Sequence, residues 1–245
     1  LSLNFHNEAL ANNNIRKAVA YAINTDELCT SVLKDGSTPL EGIVTKSTTA
    51  NADGKDFRSI SGTVVLGYDE AKAKEAFEAG CKELGVDSVT LEVLYEDADV
   101  SKNCAAYVMN ALEKAGFTTE AKCEPKKSRL QDMQNDNYDV ALHRWGPDYA
   151  DPQTYMDLFV TGASNNYGHY ESEKYDSLIE KALSTDAADS TKRWEDFAEA
   201  EKVLVNEAII PLYQAGNTAL QNTKLTGIQY HGAGVDSYRH MKLAA

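Results

Sequence analysis

Basic residues and long apolar runs are both scarce in this sequence. Its 24 lysine and arginine residues stand against 38 aspartate and glutamate residues, so its formal net charge is −14 at pH 7. A surface of this sign cannot neutralise phosphates in quantity, which argues against nucleic acid as a partner. No segment reaches the roughly 20 consecutive apolar residues that a membrane-spanning helix needs. The remaining composition, 42% hydrophobic and 25% charged, is typical of a globular chain.

The common motifs of catalysis are missing as well. No G-x-S-x-G elbow, phosphate-binding P-loop or HExxH pattern occurs in the chain. An enzyme of the glycoside-hydrolase type would have to pair Asp148 with Asp151, but two carboxylates so close together in a turn need not face one ligand. We therefore expect a binding function rather than catalysis, and no cofactor.

The cysteines do not follow a metal-binding pattern. They show no CxxC spacing and no histidine at the intervals of a zinc site, so we expect no metal site. Cys104 falls at an apolar position of an expected helix and Cys123 in an expected strand, where thiols commonly serve as small core residues. Disulfide pairing stays open for the full set: Cys29, Cys81, Cys104 and Cys123.

Strand and helix patterns alternate along the middle of the chain. Residues 89–95 alternate as a strand does, residues 100–115 place apolar side chains on one helical face, and residues 117–123 are extended again. Gly116 stands where a helix C-cap belongs. A strand, a crossover helix and a second strand predict a parallel pair with a right-handed connection. The expected fold class is therefore α/β, with a mixed, mostly parallel sheet flanked by helices.

Further segments have the spacing of amphipathic helices: residues 15–23, 69–81, 175–183 and 191–206. In the last of these, Trp194 lies on the apolar side as a core residue would, and Glu201 interrupts that side. Residues 208–213 predict a buried strand, and residues 34–67 predict a long ordered excursion. Glycines within 232–234 predict a flexible joint.

Residues 144–151 carry an indole, a phenol and two carboxylates directly after the expected strand 138–142. Open α/β sheets usually bind ligands at the carboxyl ends of their strands. Trp145, Asp148 and Tyr149 are therefore candidate binding residues. The alternative is that Trp145 packs against the core and that the aspartates are ordinary solvated residues of a turn.

Several short segments of the sequence contain motifs of a single protein family. Residues 12–24 contain Asn-x-x-x-Arg-Lys-Ala-Val-Ala-Tyr-Ala-Ile-Asn, and residues 138–152 place Arg-Trp, Asp-Tyr and Pro after a strand. Residues 210–213 read Ile-Pro-Leu-Tyr. Together these segments resemble the family 5 solute-binding proteins of ABC importers, the oligopeptide and dipeptide binders. One departure is Glu70, which stands where the family usually has proline.

The resemblance implies a periplasmic-binding-protein-like lobe of type II. Residues 1–245 would form a single C-terminal lobe, with residues 1–8 and 232–245 near the hinge and the N-terminal lobe absent. Because the chain begins without methionine, we interpret it as a processed or excised piece. The implied function is capture of short peptides by hinge closure between two lobes, for an ABC permease in the membrane. The expected location is extracytoplasmic, in the periplasm or at the cell surface through a lipid anchor.

The resemblance also assigns roles to the residues after the strand. In the family, the aspartate matching Asp148 commonly receives the α-amino group of a bound peptide. Trp145 and Tyr149 would wall the site.

For the peptide carboxylate the family uses basic side chains, but Leu142 stands where well-known members carry arginine. Arg144 or Arg129 is expected to substitute. A polar loop with groups suited to a peptide backbone is expected to border the cleft: Asn165, Asn166 and Tyr167. Relatives with this fold also carry sugars, nickel complexes or haem, and a non-transport interaction domain remains the further alternative.

Overall fold

A mixed sheet of four strands lies at the centre of the described part of the chain. The structure, a computed structural model, describes residues 1–51, 54–216, 220–231 and 233–244. In chain order the strands are β1 (Ser2–Leu3), β2 (Thr38–Pro39), β3 (Thr90–Glu96), β4 (Thr118–Glu124), β5 (Val140–Ala141), β6 (Tyr213–Gln214), β7 (Leu225–Thr226) and β8 (Lys242–Leu243).

The central sheet has the order β1-β5-β3-β4. Strand β3 pairs in parallel with β4 on one side and with β5 on the other, whereas β1 runs antiparallel to β5. The predicted mixed and mostly parallel sheet is therefore confirmed. Both residues of β5, Val140 and Ala141, are fully buried and paired on both sides. Two smaller pairs, β2 with β6 and β7 with β8, lie outside this sheet.

The described residues form ten α-helices, several of which begin at a capping side chain. They are α1 (Glu8–Ala11), α2 (Asn13–Ala22), α3 (Thr25–Glu27), α4 (Arg58–Ser61), α5 (Glu70–Leu84), α6 (Asp99–Ala115), α7 (Lys126–Gln134), α8 (Gln153–Met156), α9 (Glu173–Leu183) and α10 (Ser190–Glu207). Side-chain oxygens of Asn12, Asp69, Ser172 and Asp189 accept backbone N–H groups at the starts of α2, α5, α9 and α10. Gly116 ends α6 in the left-handed region, as predicted. Within the described ranges, no helix is both long and apolar enough to cross a bilayer.

Two apolar clusters hold these layers together. One includes Ile15 and Leu112 and lies between the sheet and α2, α5 and α6. The other includes Phe57 and Tyr175 and packs α9 and α10 against the excursion 34–67. Trp194 is buried in this second cluster, so its predicted role as a core residue is confirmed.

The carboxylate of Glu201 is buried within the second cluster and is fully satisfied there. It contacts the guanidinium of Arg58, which is also buried. Ser61 Oγ donates to Glu201 Oε2 at 2.5 Å, and the backbone N–H of Val44 donates to Oε1 at 3.0 Å. A Cβ on Gly42 would lie 2.5 Å from Glu201 Oε1, so glycine allows the backbone to pass. The residue that interrupts the apolar face of α10 thus anchors the excursion 34–67 to that helix.

Segment 208–213 does not form the buried strand that its sequence predicts. Only β6 joins a ladder, with β2, while Ile209 makes an isolated bridge to Ser2. Pro211 interrupts the pairing because it has no N–H to donate. The segment remains buried and runs antiparallel beside the start of β1. The expected joint at 232–234 includes Gly232, which lies outside the described residues, as does residue 245.

All four cysteines are free thiols. Cys104 is buried on α6, as expected for a small core residue. Cys123 is exposed, so the expectation that it serves the core is wrong. The reason is that β4 is the edge strand of the sheet and Cys123 lies on its open surface.

Replacing Arg58 with methionine should lower the free energy of unfolding by about 3–5 kcal/mol, because it leaves the buried Glu201 carboxylate without its cation. Urea denaturation followed by circular dichroism measures this change. Lys202→Met, which breaks an exposed ion pair to Glu199 on the same helix, is the matched control and should leave stability nearly unchanged. Equal effects of the two substitutions would contradict the anchoring role.

Candidate ligand-binding site

A cavity of about 530 Å³ opens at the carboxyl ends of β3 and β5. Glu96 ends β3, and residues 142–145 follow β5, so the two parallel strands deliver their last side chains to one place. Because β1 is antiparallel to β5, the start of the chain lies at the same edge. The other walls come from the excursion 34–67, segment 209–215, helices α6 and α7, and residues 155–159. This position agrees with the carboxyl-end rule for open α/β sheets.

Two guanidinium groups line this cavity. Arg129 lies on α7 with its side chain only 6% exposed, and its Nε has no hydrogen-bond partner among the described residues. The nearest carboxylate oxygen is Glu96 Oε2, at 3.8 Å from that nitrogen. Burial lowers the pKa of Arg129, and the charge of Glu96 opposes this shift. Arg144 follows β5, and among the described residues its one hydrogen bond is a long contact of 3.5 Å to Ser101 Oγ. The cavity therefore offers cationic donors that the protein itself uses little.

His143 lines the same cavity but does not add to its charge. Burial, together with the positive charge of Arg129, lowers the pKa of His143 to about 4. Its ring stands edge-on to Tyr167 with centroids 5.8 Å apart. At neutral pH the positively charged side chains that line the cavity are therefore Arg129, Arg144 and Lys126.

The side chain of Trp145 lies between an apolar cluster and the cavity. Its ring packs against the cluster of α9 and α10, while the side chain also lines the cavity. Its indole Nε1 is buried and has no partner among the described residues. Buried polar atoms are rarely left unpaired in proteins, so this N–H is a second donor suited to a ligand.

Asp148 and Tyr149 are not among the residues that line the cavity. Both are exposed, Tyr149 to 44%. The backbone N–H of Asp148 donates to Thr154 Oγ1 at 3.1 Å, which ties this turn to α8. Asp151 is held in a bidentate pair by Arg193, at 2.7 and 2.9 Å. The contact of Asp148 and Tyr149 with a ligand stays a prediction.

The polar loop lies behind His143 and outside the large cavity. Asn165, Asn166 and Tyr167 line a small cavity of about 20 Å³ that also touches His143. The side chain of Asn166 is occupied within the loop, donating to Tyr170 O at 2.7 Å and accepting from Tyr170 N at 3.1 Å. Tyr167 Oη donates to Asn165 Oδ1 at 3.1 Å. Direct contact of this loop with a ligand also stays a prediction.

Sequence reasoning missed Glu96 and Tyr213 as lining residues. The position of Glu96 carries a signal, since the last residue of a parallel strand lies at the same edge as the residues after its neighbour. No sequence signal predicts Tyr213 at the cavity. It reaches the cavity through the pairing of β6 with β2, two strands that are far apart in the chain.

The lowered pKa of His143 should make the folded protein less stable at acidic pH. Its ordinary value is 6.5 and its folded value is about 4, so the unfolded chain takes up this proton first. Stability is therefore lost as the pH falls from about 6.5 towards 4. In His143→Gln, unfolding in urea should show a smaller loss of stability between about pH 7 and pH 4.5. An identical pH dependence in the two proteins would contradict the assignment.

The sequence of the chain is similar to those of known proteins in one family. A family model described as bacterial extracellular solute-binding proteins, family 5 Middle, matches residues 1–167. The dipeptide-binding protein of Lactococcus lactis subsp. cremoris is 35% identical over 233 residues, which are 93% of this chain and 42% of that protein.

Two solved structures share the fold. The substrate-binding domain of an oligopeptide ABC transporter from Bacillus anthracis has a TM-score of 0.89 and 34% identity, covering 97% of this chain and 46% of that one. Listeria monocytogenes OppA bound to peptide has a TM-score of 0.84 and 34% identity, with the same coverage of 97% and 46%. The chain spans less than half the length of these relatives. It belongs to family 5 of the bacterial extracellular solute-binding proteins.

Proposed function

We propose that the chain is the C-terminal lobe of a two-lobed protein that captures short peptides for an ABC importer. The peptide would bind across the cavity at the ends of β3 and β5, between this lobe and an N-terminal lobe. The observation that carries the proposal is the pair of guanidinium groups with spare donors inside that cavity. Membership of family 5 and the peptide-binding relatives agree with it. The role is capture, without a chemical step.

Arg144 and Arg129 are proposed to receive the peptide carboxylate. Arginine presents a planar fork of donors that matches a carboxylate, and a charge-assisted hydrogen bond contributes about 1.5–3 kcal/mol. The buried unpartnered Nε of Arg129 and the exposed fork of Arg144 approach the cavity from α7 and from the end of β5. The indole N–H of Trp145 adds a neutral donor.

Asp148 is proposed to receive the α-ammonium group on the side that the second lobe would cover. Its carboxylate is exposed in this lobe, and its turn is tied to α8, the helix that supplies Tyr155 to the cavity. Tyr149 would then wall the ligand from the same turn. Asn165, Asn166 and Tyr167 would act from behind His143, as a support for that wall.

The last part of the chain is consistent with a second lobe packed against it. It exposes large apolar side chains, which monomeric proteins usually keep scattered. They are Leu220, Tyr230, Val235, Tyr238, Met241 and Leu243. Residues 1–8 and 232–245 would lie near the hinge. Hinge closure on the peptide would couple occupancy to docking on the permease, in the periplasm or at the cell surface through a lipid anchor.

Replacing Arg144 with glutamine in the two-lobed protein should weaken binding of a free-acid peptide about tenfold or more, because one charge-assisted hydrogen bond to the carboxylate is lost. The same substitution should have little effect on the C-terminally amidated peptide, which lacks that charge. Titration calorimetry with both peptides measures the difference. Lys82→Gln, at an exposed cation of α5 outside the cavity and outside residues 232–245, is the control. Equal losses for acid and amide would remove Arg144 from this role.

Replacing Asp148 with asparagine should weaken binding of a peptide with a free amino terminus at least about tenfold, through loss of one charge-assisted contact. An N-acetylated peptide should bind the variant and the parent alike. Asp87→Asn, at an exposed carboxylate between α5 and β3, provides the control in the same titrations. Unchanged affinity of Asp148→Asn for the free peptide would contradict the assignment.

A further inference from the structure

His6, Asp136 and His169 meet at the opposite end of β5 from the ligand cavity. The cavity follows the carboxyl end of β5, whereas Asp136 precedes its amino end. Because β1 runs antiparallel to β5, the residues that follow β1 reach the same place, and His6 is one of them. His169 comes from the loop before α9. The three side chains thus belong to three separate segments.

Their nitrogen and oxygen atoms lie close together. One ligand atom from each residue lies within 4.8 Å of the others. His6 Nδ1 is 3.2 Å from Asp136 Oδ2, and His169 Nε2 contacts Asp136 Oδ1. The two imidazole rings lie face to face, with centroids 4.1 Å apart and planes within 10°. One carboxylate is therefore shared by two parallel rings.

Backbone contacts hold the three segments in this register. The buried Asn4 side chain accepts from the His6 N–H at 3.0 Å and donates to Tyr138 O at 2.9 Å. The Phe5 N–H donates to Gly168 O at 2.9 Å, one residue before each histidine. A Cβ on Gly168 would lie 2.4 Å from a backbone oxygen of β1, so only glycine lets the loop come so close.

Two of the three residues adopt a backbone conformation that side chains other than glycine rarely take. Asp136 has φ of 59° and His169 has φ of 55°. Non-glycine residues with positive φ carry a conformational cost and concentrate at functional sites. Here the cost falls on Asp136 and His169, whose side chains touch each other.

We propose that His6, Asp136 and His169 bind one divalent transition-metal ion of the zinc class. Two imidazoles and one carboxylate are a donor set that zinc, nickel and copper ions accept, with water completing the coordination. The side chains are 60%, 37% and 37% exposed, so an ion reaches them from solvent. Carboxylates of Glu92, Glu120 and Asp139 border the same open depression, which favours cations.

The sequence predicted no metal site because spacing within one segment was its only signal. The ligands instead come from three segments that β1, β5 and the loop before α9 bring together. The bound ion would link these segments and raise the thermal stability of the lobe. It would leave the ligand cavity, at the other end of β5, free.

Titration of the untagged, metal-free chain with Zn²⁺ tests this proposal. Calorimetry should give one ion per chain, Co²⁺ should produce d–d absorption bands, and Zn²⁺ should raise the melting temperature. His6→Ala should weaken Zn²⁺ binding about tenfold or more and abolish the thermal shift. His169→Asn should do the same, since asparagine tolerates the left-handed backbone at this position.

The double variant His231→Ala/His240→Ala provides the matched control, because it removes two exposed histidines outside the cluster. It should bind Zn²⁺ as the parent does. The proposal is overturned if the parent shows no saturable binding, or if His6→Ala and His169→Asn bind Zn²⁺ as tightly as the parent. Loss of binding in the control but not in these variants would place the site elsewhere and would also overturn it.

Discussion

The short strand β5 positions the ligand cavity at one of its ends and the cluster of His6, Asp136 and His169 at the other. Val140 and Ala141 are fully buried and pair with β1 on one side and β3 on the other. A shift of one residue would turn every following side chain to the opposite face, and burial on both sides forbids such a shift. The register of two residues therefore decides that His143, Arg144 and Trp145 enter the cavity. It equally decides that Asp136 lies beside His6 at the other end.

The buried polar groups of this protein differ in whether they have hydrogen-bond partners. Glu201 has three partners within hydrogen-bonding distance, including the Arg58 guanidinium, and it fastens a long irregular segment to α10. Arg129 Nε and Trp145 Nε1 are buried at the cavity without partners among the described residues. An unmade buried hydrogen bond costs roughly 1–3 kcal/mol, so such donors are expected where a ligand supplies the missing acceptor. Arg58 Nε is also buried without a partner among the described residues, so an unpartnered donor indicates a binding position only where its side chain also lines the cavity, as those of Arg129 and Trp145 do.

The excursion 34–67 contributes both to the second apolar cluster and to the wall of the cavity. It has little regular structure, yet it supplies Leu40, Ile43 and Thr45 to the cavity wall. Its position depends on the ion pair between Arg58 and Glu201 and on the passage of Gly42 beside that pair. Stability of the second cluster and shape of the cavity are therefore coupled through one buried carboxylate.

The sequence by itself determined the amphipathic helices, the Gly116 cap of α6 and the parallel β3–β4 pair, because these follow from local periodicity and short-range backbone geometry. It also carried the segments that resemble family 5. Only the tertiary structure decided that Cys123 is exposed on an edge strand and that segment 208–213 joins a ladder only at β6, with an isolated bridge from Ile209 to Ser2. It alone brought Glu96 and Tyr213 to the cavity, and His6, Asp136 and His169 together. The physical reason is that these placements depend on strand pairing between distant segments, and neither local propensity nor spacing along the chain records that pairing.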